Sequence, residues 1–302
     1  MSDNTKLPDK PLSRLIYKVL GKSRYVNIRN KYKFRSLDSP FPLFHPDPIK
    51  VNWENYGEQR ALNNSVPLVY VVSPTQRSGT NFLSHIMGHH PDLQFPKGDN
   101  LPNEQCLYTY SDELEAYVEK TVTTWGKWIQ GGNTQADRHS KGLMQSIGQG
   151  ILRYFVSFIE PDKTLLFKTP DAGNLKNILH LFPQAKVVIL IRDGRDTMES
   201  FSKSWGGTGA FEKMCERWAQ RAQLILDFKR QADESGLADN YYEVRYDQLN
   251  DNTASEMEKI FKFLNMDPEK YPWDELNDMP VLGSSAYKTE SGKVHWEPIK
   301  KT

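Results

Sequence analysis

A chain of 302 residues, 38% apolar and 25% charged, has the composition of a folded globular protein, and its length fits one large α/β domain or two small ones. A net charge of +1 gives no reason to expect a nucleic-acid-coating surface, although a local basic patch is compatible with it. Two cysteines, Cys106 and Cys215, are too few for a disulfide framework and lack metal-ligand spacing, and no run approaches the roughly 18 apolar residues of a membrane span. The N-terminus also lacks the apolar core of a secretory signal, so the expected residence is cytoplasmic.

Residues 1–50 form a basic extension, with ten Lys and Arg from Lys6 to Arg35 against Asp3 and Asp9 over the same stretch. Within it, residues 12–20 have an amphipathic helical pattern suited to a membrane surface, a docking partner or the domain itself. Residues 39–48 are proline-rich and read as an extended connector to a domain over 51–302.

Residues 66–92 read as strand, loop and helix. Val66, Leu68, Val69, Val71 and Val72 suit a strand buried on both faces, and Pro74 ends it. Gly79 allows a tight turn, Ser78 or Thr80 can cap the next helix, and Phe82, Leu83, Ile86 and Met87 give that helix an inward face. Such a turn aims backbone N–H groups and a helix dipole at one spot, and Arg77 adds a planar cation, which together suit an anion. It is not the nucleotide-hydrolase loop, which needs Lys directly before the Ser or Thr. An ordinary strand-to-helix turn is the competing reading.

Residues 111–128 predict a helix beginning at Ser111, and 131–142 predict a polar loop, either a mobile lid or plain surface. Residues 164–193 predict a second strand–helix–strand unit. Leu165, Leu166 and Phe167 mark its first strand, Leu175, Ile178, Leu179 and Phe182 its helix face, and residues 187–191 a central parallel strand. Right-handed crossovers place these strands beside the first one, with ligands beyond their carboxyl ends. Polar residues stand at three of those ends: 77–80, Lys168-Thr169 and Arg192-Asp193. Arg192 and Ser200 suit a second phosphate site if Gly194 turns the chain into a helix; pairing of Arg192 with Asp193 or Asp196 is the alternative. Residues 211–230 predict a long helix with a stripe of Phe211, Met214, Cys215, Trp218, Ala222, Ile225 and Leu226 inward. A strand over 241–246, a cap at Asp247 and a helix over 253–266 follow, then a loop-rich tail over 267–302 that either closes over a ligand or frays.

Four stretches, PTQRSGTNFL, KTP, VVILIRDGRDTMESF and VRYDQL, now stand in a recognisable order. Over roughly residues 66–266 the chain resembles the sulfotransferase family, which uses 3′-phosphoadenosine 5′-phosphosulfate (PAPS) and releases 3′-phosphoadenosine 5′-phosphate (PAP). The resemblance implies a single α/β domain with a central parallel β-sheet flanked by helices, the P-loop-like sulfotransferase fold. It implies that Arg77, Ser78, Gly79, Thr80, Asn81 and Phe82 cradle the 5′ phosphosulfate, with Arg77 and Lys168 as catalytic cations. Arg192 and Ser200 would hold the 3′ phosphate, and Tyr246 would lie near the adenine. Ser284, Ser285 and Lys293 would approach the 3′ phosphate from the tail, although the Arg-Lys-Gly motif of the cytosolic branch is absent.

The base is where the sequence departs. The small-molecule branch carries Lys-Thr-His and uses that His as the base; here Pro170 stands in its place and cannot accept a proton. The heparan- and tyrosyl-protein-type branches use a Glu soon after the first helix, which points to Glu104, with Asp99 as fallback and His139 and His295 as further candidates. His85, His89 and His90 read as structural. The expected acceptor is a small molecule offering a hydroxyl or amine, held by the loops of 93–150 and 267–302 and their aromatics, including Tyr108, Tyr110, Trp125, Trp128, Trp273 and Trp296. A glycan or protein acceptor, an ATP-using kinase or nucleotide-binding protein, and a catalytically dead family member are the alternatives. No metal and no nucleic acid enter this scheme, and a homo-oligomer is compatible with it.

Overall fold

The computed structural model describes residues 67–97, 101–102, 104–125, 132–205, 208–276 and 279. The expectations placed on the basic extension, Asp99, Ser284, Ser285, Lys293, His295, Trp128 and Trp296 lie outside these residues.

Five strands make one sheet: β1 (Leu68–Val72), β2 (Leu93–Gln94), β3 (Thr164–Thr169), β4 (Lys186–Ile191) and β5 (Tyr241–Arg245). They lie in the order β2-β3-β1-β4-β5, and every neighbouring pair is parallel. Strands β1, β3 and β4 arise where β-branched and aromatic runs can be covered on both faces, and all five β1 residues are buried. Tyr70 sits beside Phe167 and Val187, and Val72 beside Thr169 and Ile189, which fixes the register of the central three strands.

Alternate side chains feed two cores. Leu68, Tyr70, Val72, Leu165, Phe167, Val187 and Ile189 face α2 (Ser111–Trp125), α3 (Gly132–Val156), α4 (Ile178–Leu181) and α6 (Thr208–Glu234). Val69, Val71, Leu166, Val188, Leu190 and Val244 face α1 (Thr80–Met87), α7 (Tyr246–Asp251), α8 (Thr253–Phe263) and α9 (Trp273–Leu276). α5 (Gly194–Trp205) follows β4. Each fully buried aliphatic or aromatic side chain contributes roughly 1.5–3 kcal/mol, so the sheet holds its carboxyl ends firmly in place. Among the described residues no helix is long and apolar enough to cross a membrane.

Three expectations change. Residues 132–142 are not a loop but the start of α3. Their side chains past 136 are largely solvated, an Asp137–Lys141 pair spans one turn at 2.8 Å, and the packed residues Leu143, Met144, Ile147 and Ile151 carry the helix. His139 therefore lies on a helix, with its ring edge-on to Trp125. On α6, Ile225, Phe228 and Ala232 are the buried residues, while Phe211 and Leu226 are 42% and 56% exposed, so the inward stripe is displaced toward the C-terminal half. Asp247 lies inside the first turn of α7, and Arg245 occupies its N-cap.

Candidate active site

The loop after β1 is closed by its own hydroxyls. Ser73 Oγ and Ser78 Oγ donate to the Thr75 carbonyl at 2.9 and 2.8 Å. Arg77 and Gly79 are both left-handed, with φ of 71° and 97°. At Gly79 this is essential on two counts: φ is unfavourable for any side chain, and a Cβ would stand 2.5 Å from Cδ2 and Cε2 of Tyr246. Neither Ser78 nor Thr80 caps α1; Gly79 is the N-cap and no side chain accepts there. Ser78 is instead spent inside the loop, and the first N–H groups of α1 face outward with the helix dipole behind them.

Arg192, at the end of β4, reaches back to this loop. Its Nη1 donates to the Arg77 carbonyl at 3.2 Å, its guanidinium lies 4.5 Å from the Tyr246 ring centroid, and its Nε is buried without a partner. Arg77 Nε donates to Ser200 Oγ on α5 at 3.2 Å. Arg77, Arg192, Ser200 and Tyr246 therefore converge at one point. The alternative pairing is not what the structure holds. Asp193 takes Arg195 in a two-pronged contact at 2.7 and 3.0 Å, and among the described residues no carboxylate pairs with Arg192. Burial, and then the neighbouring Arg192 charge, pull the Arg77 guanidinium below its ordinary range. Burial raises the Tyr246 phenol, which stays neutral between them.

On the other side of β1, at the end of β3, Lys168 is 7% exposed. Its Nζ donates to Asn81 Oδ1 in the first turn of α1 and lies 3.8 Å from Glu104 Oε1. Burial pulls the Lys168 ammonium down, and Glu104 opposes that pull. Glu104 keeps one third of its side chain open to solvent. It borders a recess of about 140 Å³ whose wall includes Thr75, Cys106, Thr169, Pro170 and Arg217. Pro170 and Glu104 thus line the same recess.

The structure brings together Arg77, Ser78, Gly79, Arg192, Ser200 and Tyr246 at one end, and Asn81, Lys168 and Glu104 at the other. Phe82 is 1% exposed and packs in the core, so only its backbone faces the loop. Tyr108 is fully buried and Trp273 packs beside the second core, while Tyr110, 73% exposed, borders the recess. His90 is structural: its ring ties to the Asp267 carbonyl and the Asp92 N–H. Sequence reasoning missed Asp171, which pairs with Arg217 and Arg221 at 2.6 and 2.8 Å and pins the turn after Lys168 to α6. The lone signal was an Asp following Lys-Thr-Pro with two arginines four apart on a helix.

The family profile described as "Sulfotransferase family" matches residues 67–270. The chain is 24% identical over 221 residues to protein-tyrosine sulfotransferase A of Caenorhabditis elegans, covering 70% of this chain and 52% of that protein. It is 22% identical over 245 residues to protein-tyrosine sulfotransferase 1 of Danio rerio, covering 77% and 61%. The chain spans about half the length of the curated relatives it matches. Among solved structures, sulfotransferase STF9 from Mycobacterium avium aligns over 91% of this chain and 89% of that one, at 12% identity and a TM-score of 0.48.

Proposed function

The chain belongs to the sulfotransferase family, and from that premise we propose that it transfers a sulfuryl group from PAPS to an acceptor hydroxyl. One observation carries the reading: a cation pair with a serine, Arg77, Arg192 and Ser200, and a Lys168–Glu104 pair stand at the ends of strands on either side of β1. The residues fit a donor with two anionic ends. The orphaned Nε of Arg192, buried beside the Arg77 loop, suits such a ligand.

In this reading Arg192 and Ser200 hold the 3′ phosphate, and Tyr246 lines the adenine side. Arg77, Lys168 and the N–H groups at the start of α1 hold the phosphosulfate and counter the charge that spreads over its oxygens. Glu104 takes the acceptor proton as the acceptor oxygen bonds to sulfur. The bond from sulfur to the bridging oxygen breaks, and PAP leaves with that oxygen's electron pair. Positioning and charge stabilisation do most of the work.

An expected residence in the cytoplasm is the ground for a small-molecule acceptor. The names of the relatives support a tyrosyl hydroxyl on a polypeptide instead, and Glu104 as base accords with the branch that acts on proteins. An ATP-using enzyme is disfavoured because Gly79, not Lys, precedes Thr80.

A thermal-shift comparison tests the donor. PAP at 100 times its dissociation constant stabilises the fold by about 2.7 kcal/mol, and ATP at the same concentration is expected to do far less. Equal shifts contradict the donor assignment. Labelled PAPS offered to tyrosine-bearing peptides and to small phenols then tests the acceptor: label on the peptides supports the polypeptide reading, and label on the phenols alone refutes it.

A further inference from the structure

The segment that bears Glu104 lies along an edge that the sheet leaves open. β2 covers only the first two residues of β3, pairing Leu93 with Thr164 and Gln94 with Leu165. Beyond that point, among the described residues, the outer edge of β3 has no strand partner, and residues 105–109 take its place. Gln105 Oε1 accepts from the Lys168 N–H at 3.3 Å. The Cys106 N–H donates to Thr169 Oγ1 at 3.1 Å, and the Leu107 N–H donates to the Tyr70 hydroxyl at 3.3 Å. Tyr108 donates to the Asp171 carbonyl at 2.6 Å, and Asn174 Nδ2 donates to the Thr109 carbonyl at 2.7 Å.

Two of these contacts meet at a node. The Tyr70 hydroxyl and Thr169 Oγ1 lie 3.0 Å apart, both residues fully buried, and share one hydrogen bond while each accepts a backbone N–H from the same short segment. Burial keeps the phenol protonated far above neutral pH, so it remains a donor. Between those N–H groups, Cys106 is left-handed, with φ of 48°. A non-glycine residue held there is strained and persists only where its surroundings impose it. The hydroxyl pair supplies that imposition, two residues from Glu104. Tyr70 packs edge-on against Tyr108 and Phe167, at 5.2 and 5.6 Å between centroids, but neither ring contact needs the hydroxyl.

We infer that Tyr70 and Thr169 are positioning residues for the base: their paired hydroxyls hold the strained turn at Cys106 and thereby keep the Glu104 carboxylate over the recess and beside Lys168. Neither hydroxyl contacts the Arg77, Arg192, Ser200 and Tyr246 cluster, so the pair acts on the proton-accepting side alone. This rests on the proposed role of Glu104.

Tyr70→Phe keeps the ring and removes the node. With PAPS and a tyrosine-bearing peptide it is expected to lower kcat about tenfold, the equivalent of one to two hydrogen bonds, with KM for PAPS and the PAP-induced thermal shift within about twofold of wild type. Thr169→Val should match it, and Thr169→Ser, which retains the hydroxyl, should restore turnover. The deciding measurement is the double-mutant cycle. If the node acts through the base, Tyr70→Phe has no further effect on kcat in a Glu104→Gln background. An equal loss in both backgrounds assigns Tyr70 a structural role only, and an unchanged kcat in Tyr70→Phe alone also overturns the inference. Full turnover by Glu104→Gln instead removes the base itself. That result sinks the reading on which the inference rests, and it differs plainly from an active Tyr70→Phe beside a disabled Glu104→Gln.

Discussion

Glu104→Gln is expected to lower kcat by roughly 100- to 10,000-fold, the usual contribution of a positioned general base. The amide keeps the shape of the side chain and loses the ability to take a proton. PAP should still stabilise the variant as it does the wild type, because Glu104 lies at the β3 side of the site and touches none of Arg77, Arg192, Ser200 or Tyr246. The same substitution removes the charge facing Lys168, which is 9% exposed at the side chain and left with Asn81 as its polar partner. A modest change in stability is therefore compatible with the assignment, but a retained kcat is not. Stopped-time assays with labelled PAPS separate the two, since kcat per folded molecule is read apart from the folded fraction.

Arg192→Ala is expected to weaken PAP binding by roughly 30-fold or more, the loss that follows when one partner of a desolvated, hydrogen-bonded charge pair is removed. Adenosine 5′-phosphosulfate, which lacks the 3′ phosphate, should lose far less. The geometry gives the reason. Arg192 is already committed at Nη1 to the Arg77 carbonyl and lies over the Tyr246 ring, so its guanidinium is held in place before an anion arrives. Isothermal titration of both ligands against both proteins checks this, and equal losses for the two ligands would remove Arg192 from the 3′-phosphate site.

The cluster of Arg77 and Arg192 was legible in the sequence because strand, loop and helix follow one another locally. Apolar runs of the type at 68–72 and 187–191 are found where a sheet is covered on both faces, and the residues just after them must then lie at its carboxyl edge. Arg77 and Arg192 could be placed in this way. The features that escaped are those in which tertiary contact overrides local pattern. β2 has only two residues and carries no period. The first turns of α3 are too polar to show an inward face, and they form because the packed turns after them extend backward. The N-cap of α1 fell to Gly79 because Ser78 was claimed by the Thr75 carbonyl, a bond that no residue spacing announces.

Tyr70 is the plainest case. In an apolar strand it reads as core, and its ring is indeed core. Its hydroxyl partners lie 37 and 99 residues away in the chain, so the node on which the inferred role rests forms only once β1 and β3 are side by side. Glu104 itself was found through the resemblance and the proline at 170, and the structure adds its proximity to Lys168 and to the recess. What the fold supplies is convergence: residues far apart in the chain gather on either side of β1, where the proposed roles need them.

A crystal structure of the protein with PAP tests the central claim most directly. The 3′ phosphate is predicted to rest on Arg192 and Ser200, and the 5′ phosphate at the start of α1 between Arg77 and Lys168. PAP bound away from both strand ends, or with its 3′ phosphate against Lys168, would contradict it.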